Sequence, residues 1–323
     1  MTRIAIVGTG GGGLVLAREL HRALGPRCGV TVFDKGLGVG GRISTRRDGG
    51  YRFDHGAASF TVRTAAFREW LAPLRAAEIV AEWRGPAVNL AGGRVLGPRH
   101  HAEPRFVGMP GMNALALCLA DTLDVRCGVE VAPLEPRPGA HRLRSVAGHE
   151  LVTFDLVVAA APAHRSAALF RAAVQAAAMP TARMKPRHGL MVALDRPWGE
   201  SWVAARVQDG PLRSIFVDSS KPGRATDRAT LVAHTRARWS RLHEEVPAEL
   251  PAPIMLHALR AVLPCDIGAP GLVKAHRWRS ALVRRPLRPG PGIATGDFAA
   301  GNRIEDVCLS ARELAERLRR DTP

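Results

Sequence analysis

The sequence is poor in lysine, in acidic residues and in paired cysteine, and it contains no long apolar run. Only Lys35, Lys185, Lys221 and Lys274 occur among 46 basic residues, so 42 are arginine. Against them stand 29 Asp and Glu, leaving a formal charge of +17. A balance of that sign points to nucleic acid or anionic lipid. No block of five or more Lys/Arg exists, however; the densest runs are the pairs Arg46-Arg47, Arg284-Arg285 and Arg319-Arg320. Arginine rises together with Ala, Gly and Pro, as GC-rich coding would produce, so a solvated surface is the first reading and no nucleic-acid partner is expected. The five cysteines (Cys28, Cys118, Cys127, Cys265, Cys308) are odd in number and form no CxxC pair. That excludes a disulfide framework and a zinc site, and it points to a reducing, cytoplasmic compartment. No stretch approaches the ~20 apolar residues of a membrane span, so no membrane is expected. Arg3 and the uncharged residues 4–17 have the outline of a secretory signal, but five of the six residues 8–13 are glycine. Those glycines break the apolar helix such a signal requires. There is no HExxH and no Ser/His/Asp order with supporting context; His100-His101 lies in a Pro/Gly-flanked turn and reads as surface. No metal is expected.

What is present begins at the N-terminus. The 323 residues, 46% apolar and 23% charged, describe one large or two ordinary globular domains. Residues 3–7 (Arg-Ile-Ala-Ile-Val) read as a buried parallel strand. Gly8, Gly10 and Gly13 then satisfy GxGxxG, residues 14–24 read as a helix, and residues 30–34 as a second strand ending at Asp34. Gly8 permits the tight turn, Gly10 lets a pyrophosphate approach the backbone, and Gly13 lets helix and strand pack closely. Asp34, 21 residues after Gly13, stands where a carboxylate meets ribose hydroxyls. A dinucleotide cradle outweighs a glycine-rich surface turn here because strand, helix and acid all stand in place. The later Gly40-Gly41-Arg42 brings a second glycine pair and a guanidinium suited to phosphate.

These residues carry a family resemblance. Val32-Phe33-Asp34-Lys35, Gly38-Val39-Gly40-Gly41-Arg42, Phe53-Asp54-His55-Gly56-Ala57 and Phe60-Thr61 resemble the renalase-like branch of the flavin amine oxidase superfamily. Further matches follow in order at residues 105–112, 155–162, 218–224 and 276–278, then Gly296-Asp297 and Arg303-Ile304-Glu305. The resemblance implies a two-domain FAD oxidoreductase with the cofactor held non-covalently. By position it places Gly8, Gly10, Gly12 and Gly13 at the pyrophosphate, Asp34 at the adenosine ribose, Lys35 among the cofactor contacts, and Gly41 and Arg42 at the pyrophosphate from the other side. Gly56 and Ala57 would line the flavin, Val131, on an apparent strand at 128–131, would lie near adenine, and Gly296 and Asp297 near the ribityl phosphate. Arg303 and Ile304 would approach the flavin ring, with the helix opened by Ile304 (residues 304–320) turning its positive end toward a reduced flavin. Two departures stand out: Ala58-Ser59, where relatives carry a polar and an aromatic residue, and Ala311, where a glycine is common.

The middle of the chain changes character. Residues 64–80, 109–123 and 163–179 read as helices, the second opened by Pro110. Strand-like runs follow at 190–194, 202–207, 213–217 and 230–235, separated by turns at residues 195–197, 209–211 and 221–223. This is an antiparallel meander, and over a flavin such a sheet is the family's substrate-side wall. The expected fold is therefore α/β: a Rossmann-type FAD-binding domain (1–61, 106–164, 273–323) with an inserted antiparallel-sheet substrate domain (62–105, 165–272). Trp70, Trp83, Trp198, Trp202 and Trp239 fall in the insert and mostly read as core. On residues 272–282, alternation puts Lys274, His276 and Trp278 on one face, with Ala275 and Arg277 on the other. His276 is the one candidate for orienting substrate or accepting a proton, set against a structural histidine.

Three functions follow. The resemblance implies an FAD-dependent oxidase that converts a dihydronicotinamide dinucleotide isomer to NAD(P)+ while molecular oxygen becomes hydrogen peroxide. Ala58-Ser59 keep open an oxidase of an amine or other small metabolite. A basic nucleic-acid-binding protein rests on the +17 charge alone.

Overall fold

The computed structural model describes residues 1–100, 102–135, 139–171, 182–247, 249–286 and 294–321. The chain divides into two compact units: Met1–Gly41, Leu115–Met184 and Val283–Pro323 form the first, and Arg42–Ala114 with Lys185–Leu282 form the second. The sequence divides the chain after residues 61, 105, 164 and 272, and these units divide it after residues 41, 114, 184 and 282. The sequence puts the first edge after residue 61, whereas residues 42–61 belong to the second unit. Asp54 explains why: its carboxylate is held by Lys221 and Arg224 of that same unit.

The first unit is built on a parallel sheet of four strands, in the order Asp124–Cys127, Cys28–Asp34, Thr2–Val7, Leu156–Ala159. Ile4, Ile6, Val32 and Phe33 are fully buried, as the near-continuous apolar runs of a two-side-covered sheet require. Helix Gly11–Leu24 crosses between the first two strands, burying Leu14, Leu16 and Leu20. It packs on the C-terminal helix Ile304–Asp321, whose buried stripe is Cys308, Ala311, Leu314, Ala315 and Leu318.

The sequence places two elements of this unit differently. The first helix begins at Gly11 and not at residue 14, because tertiary packing draws glycines of poor helix propensity into its first turn. The strand expected at 128–131 runs Asp124–Cys127; Gly128 then turns with φ +75, and Val131 makes an isolated bridge to Ser145. Of the expected helix 163–179, Ala163–Leu169 is seen, and residues 172–179 lie outside the described residues.

The second unit is organised by a seven-stranded sheet. Its order is Leu272–Val283, Met184–Ala193, Thr230–Thr235, Leu212–Val217, Ala204–Val207, Ala87–Ala91, Arg94–Pro98. Strands 204–207, 212–217 and 230–235 pair in chain order as an antiparallel meander, whereas the expected run at 190–194, largely within Met184–Ala193, pairs with Thr230–Thr235 and not with Ala204–Val207. Beyond it, Met184–Ala193 joins Thr230–Thr235 and Leu272–Val283, and Ala87–Ala91 runs parallel to Ala204–Val207 and antiparallel to Arg94–Pro98. One face packs on helix Pro251–Val262, with Leu190, Val192, Leu231, Ala233, Ile215, Val217, Ala205 and Val207 alternating toward Met255, Leu259 and Val262. Trp202 is buried in that core and Trp198 packs against it.

The helix expected at 64–80 ends at Ala76, capped at its start by Thr64, and Val80 opens a strand instead. That at 109–123 spans Asn113–Ala120, because residues 109–112 form a turn whose Met112 N–H is committed to Asp54.

Candidate functional site

In the first unit the glycine turn is shaped by what cannot fit. Gly8 sits at φ +124, and a Cβ there would lie 2.6 Å from the Ala160 carbonyl oxygen. A Cβ on Gly13 would lie 2.0 Å from the Gly8 carbonyl oxygen, and one on Gly12 3.0 Å from Val307 Cγ1. Strand, helix and C-terminal helix therefore meet through glycines. Gly10 and Gly11 differ: nothing lies within 4 Å of a Cβ at either. Gly10 is the N-cap of the helix, no side chain caps it, and its first turn holds no acidic residue. The chain thus leaves free N–H groups and the positive end of the dipole beside open space. That combination fits a diphosphate.

Asp34 closes one side of this turn. Its Oδ2 accepts from Thr9 N at 2.7 Å and Thr9 Oγ1 at 2.6 Å, and its Oδ1 accepts from Gly36 N at 2.7 Å. These use three of about four lone-pair sites on a carboxylate, so the fixed group keeps acceptor capacity for a ribose hydroxyl. Gly40 donates to the Thr9 carbonyl at 2.9 Å, which brings Gly41 beside Gly10. Lys35 is exposed, and Val131 packs at the edge of the sheet core. Gly296, at φ +133, caps the short helix Asp297–Ala300 and lies against Gly12. Arg303 is exposed and Ile304 opens the C-terminal helix. That helix carries Glu305 and Asp306 in its first turn, acidic residues that the positive end of the dipole favours.

In the second unit, Arg42 donates to the carbonyls of Ser280 (3.3 Å) and Ala281 (3.2 Å). A Cβ on Gly56 would stand 2.1 Å from the Arg42 carbonyl oxygen, which accepts from Ala57 N at 2.8 Å. This turn presents His55 to the sheet face opposite helix Pro251–Val262. The His55 carbonyl accepts from Trp278 Nε1 and from His234 Nε2, each at 3.1 Å. Because a carbonyl only accepts, His234 holds its proton on Nε2. The His55 ring meets His276 at 4.8 Å and Trp278 at 5.0 Å between centroids, and His276 meets Trp278 at 4.3 Å. His276 and Trp278 thus share a face, as the alternation requires. His55 and His234 escaped the sequence reading, since nothing local in either marks a partner some 180 residues away.

All three histidines are neutral at physiological pH. Burial, then His276, lowers His55 to about 4, and burial, then Arg187, lowers His234 to about 3. Burial and Arg46 lower His276, which makes it a weak proton acceptor. In the unfolded chain these rings take up protons near the ordinary histidine value of about 6.5. Protons therefore bind the unfolded state first, and stability present above that pH is lost as pH falls toward about 4. The urea midpoint should drop between pH 7 and 5 while the ring NMR signals of His55 and His234 stay neutral. A ring midpoint near pH 6.5 at either residue would contradict this account.

Behind His55 lies a fully buried ion cluster that the sequence reading matched in segments without pairing. Lys221 Nζ is 2.8 Å from Asp54 Oδ2 and also pairs with Asp218. Arg224 reaches Asp54 Oδ2 and Asp218 Oδ2, each at 2.5 Å. Thr45 Oγ1 and Met112 N donate to Asp54 Oδ1, and Asp54 N donates to Asp218 Oδ2. Burial raises the Asp54 pKa, but Lys221 and Arg224 outweigh it and hold the carboxyl at about 2. The spacing Asp218-x-x-Lys221-x-x-Arg224 was the available signal. Among the described residues no His/Cys/Asp/Glu group has metal-site geometry, and no helix is long and apolar enough to cross a membrane.

Comparison with known proteins agrees with this architecture. The NAD(P)-binding Rossmann-like domain profile matches residues 6–74, and that of flavin containing amine oxidoreductases matches residues 81–302. The chain belongs to the flavin-containing amine oxidoreductase family. Prenylcysteine oxidase 1-like of Bos taurus is 44% identical over 59 residues, covering 18% of this chain and 12% of that protein. The Homo sapiens counterpart is 43% identical over 58 residues, again 12% of its length. A putative protoporphyrinogen oxidase from Exiguobacterium sp. 255-15 superposes with a TM-score of 0.80 at 14% identity, covering 99% of both chains. Wild-type putrescine oxidase bound to putrescine gives 0.70 at 14%, covering 98% of both. At such identities the likeness is one of fold.

Proposed function

We propose that the chain is an FAD-dependent oxidase of the renalase-like branch that takes a hydride from a dihydronicotinamide dinucleotide isomer. The substrate leaves as NAD(P)+, and the hydride's two electrons, with two protons in all, reduce molecular oxygen to hydrogen peroxide. Bound FAD supplies the two-electron acceptor. The first unit would carry it: Gly10 and Gly11 would offer N–H groups to the diphosphate, and Asp34 would accept from the ribose. Arg42, Gly56, Ala57, Gly296, Asp297, Arg303 and Ile304 are proposed cofactor contacts on the resemblance.

The observation that carries the substrate reading is the neutral wall of His55, His276 and Trp278, whose ring centroids lie 4.3 to 5.0 Å apart. A dihydronicotinamide is planar, uncharged at its ring and needs no base to lose hydride. An ammonium substrate calls for a carboxylate, and the one adjacent to His55, Asp54, is consumed by Lys221 and Arg224. In this reading His276 orients the ring by packing and hydrogen bonding and moves no proton.

Anaerobic mixing of the flavin-loaded protein with isomeric dihydronicotinamide dinucleotides, ordinary NADH and an amine panel tests this. Rapid bleaching by a dihydronicotinamide isomer, with one equivalent of peroxide on admitting oxygen, is the expected result. Bleaching by an amine alone would transfer the proposal to the amine reading.

A further inference from the structure

The sheet face that carries His234 also carries an accumulation of arginine without acid. The strand registers run in one row across the sheet: Gly189 opposite His234, His234 opposite Ser214, Ser214 opposite Arg206, Arg206 opposite Asn89. Residues directly opposite one another share a face, and neighbouring strands lie about 4.8 Å apart. Arg206 therefore stands two strands, roughly 10 Å, from His234 on the same side. Arg187 lies two residues before Gly189 on its strand, so it shares that side too. Alternate residues on these strands, Leu190, Ala233, Ile215, Ala205 and Val207, pack into the helix-covered core. Arg213 is the extra residue of a bulge between Leu212 and Ser214, a device that re-aims a side chain.

The three guanidiniums sense one another. Arg187 feels Arg213 and Arg206, Arg206 feels Arg213, Arg99 and Arg236, and Arg213 feels Arg236 and Arg99; no carboxylate acts on any of them. Burial followed by these neighbours lowers Arg187 to about 10. Its Nε is buried without a hydrogen-bond partner. Arg236 is occupied, donating to the carbonyls of Gly210 (3.1 Å) and Val207 (2.7 Å). Among the described residues, Arg187, Arg206 and Arg213 have no protein acceptor or counter-ion. Gathered cations without counter-ions destabilise a fold by mutual repulsion. An anion would offset that, and the planar fork of arginine matches phosphate oxygens two at a time.

We propose that Arg187, Arg206 and Arg213 form a substrate subsite for a phosphoryl anion, such as the diphosphate of a dinucleotide, on the sheet face that bears His234. Its assignment to a dinucleotide rests on the reading under Proposed function; the anion site itself does not.

The test uses the FAD-loaded protein and inorganic pyrophosphate, followed by titration calorimetry and by the thermal midpoint. Wild type should bind pyrophosphate and be stabilised by it. Arg187→Gln and Arg206→Gln should each weaken binding by about tenfold or more, the loss of a charge-assisted contact. Both should keep full flavin absorbance, and without anion their midpoints should hold or rise, since repulsion is relieved. An arginine with a merely structural role would lower the midpoint instead. Arg317→Gln, on the exposed side of the C-terminal helix, should leave pyrophosphate binding unchanged. No binding by wild type, or equal binding by both variants, would overturn the subsite. If pyrophosphate binding behaves as expected while no dihydronicotinamide bleaches the flavin, the anion site stands and the substrate reading falls. In the combined case, the same variants should raise KM for the dinucleotide substrate with little change in kcat.

Discussion

Gly10→Val should yield a folded protein without flavin. Gly10 is extended (φ −66, ψ 171), a conformation valine adopts without strain, and nothing of the chain lies within 4 Å of its Cβ position. The added methyl groups would enter the open space at the uncapped start of the helix. We expect FAD affinity to fall by at least about a hundredfold, on the order of 3 kcal/mol, with far-ultraviolet dichroism and apo-protein urea midpoint near wild type. Gly13→Ala should fail in the opposite way. Its Cβ would lie 2.0 Å from a backbone oxygen, Gly8 O, where no flexible side chain can yield. The expected loss is about 3 kcal/mol or more of fold stability, visible in the apo-protein's urea midpoint. Equal flavin content in Gly10→Val and wild type would remove the cradle from the cofactor's path.

The contrast between these glycines separates what the sequence shows from what it hides. Strand, turn, helix and acid in residues 2–34 are contiguous, so their tasks are legible from spacing alone. The alternation on residues 272–282 is equally local, and the His276 and Trp278 rings meet at 4.3 Å. Other features arise between segments far apart in the chain. The parallel pairing of Ala87–Ala91 with Ala204–Val207 has no local mark, nor does the carbonyl of His55 reaching His234 and Trp278. Residues 42–61 look continuous with the cradle in sequence, while Asp54 ties them to Lys221 and Arg224 in the second unit. The apolar content of residues 109–123 reads as one helix and hides a turn fixed by Asp54 and Met112. Among 42 arginines, Arg187, Arg206 and Arg213 carry no distinguishing context in sequence. Only sheet register gathers them, and it gives the basic excess a local purpose that composition alone cannot.

Lys221→Met should be among the most damaging substitutions in the second unit. The ion cluster holds two carboxylates and two cations, and the side chains of Asp54, Asp218 and Lys221 are wholly buried. Removing one cation leaves Arg224 alone between two carboxylates, so a net negative charge stays buried. Breaking a buried pair in this way costs about 3–5 kcal/mol, read as a lower urea midpoint at pH 7. The pH dependence supplies a second readout. Asp54 titrates at about 2 in the folded protein against 3.8 as its reference. In wild type its contribution is present above about pH 4 and is lost as pH falls toward 2. Lys221 is the largest influence lowering that carboxyl, so Lys221→Met raises it and moves the acid-unfolding transition to higher pH. An unchanged acid transition together with an unchanged urea midpoint would mean that the cluster does not hold the 42–61 segment in the second unit. A loss in both would explain physically why Asp54, Asp218, Lys221 and Arg224 must act as a set: each group's charge is tolerated in the interior only because the other three are there.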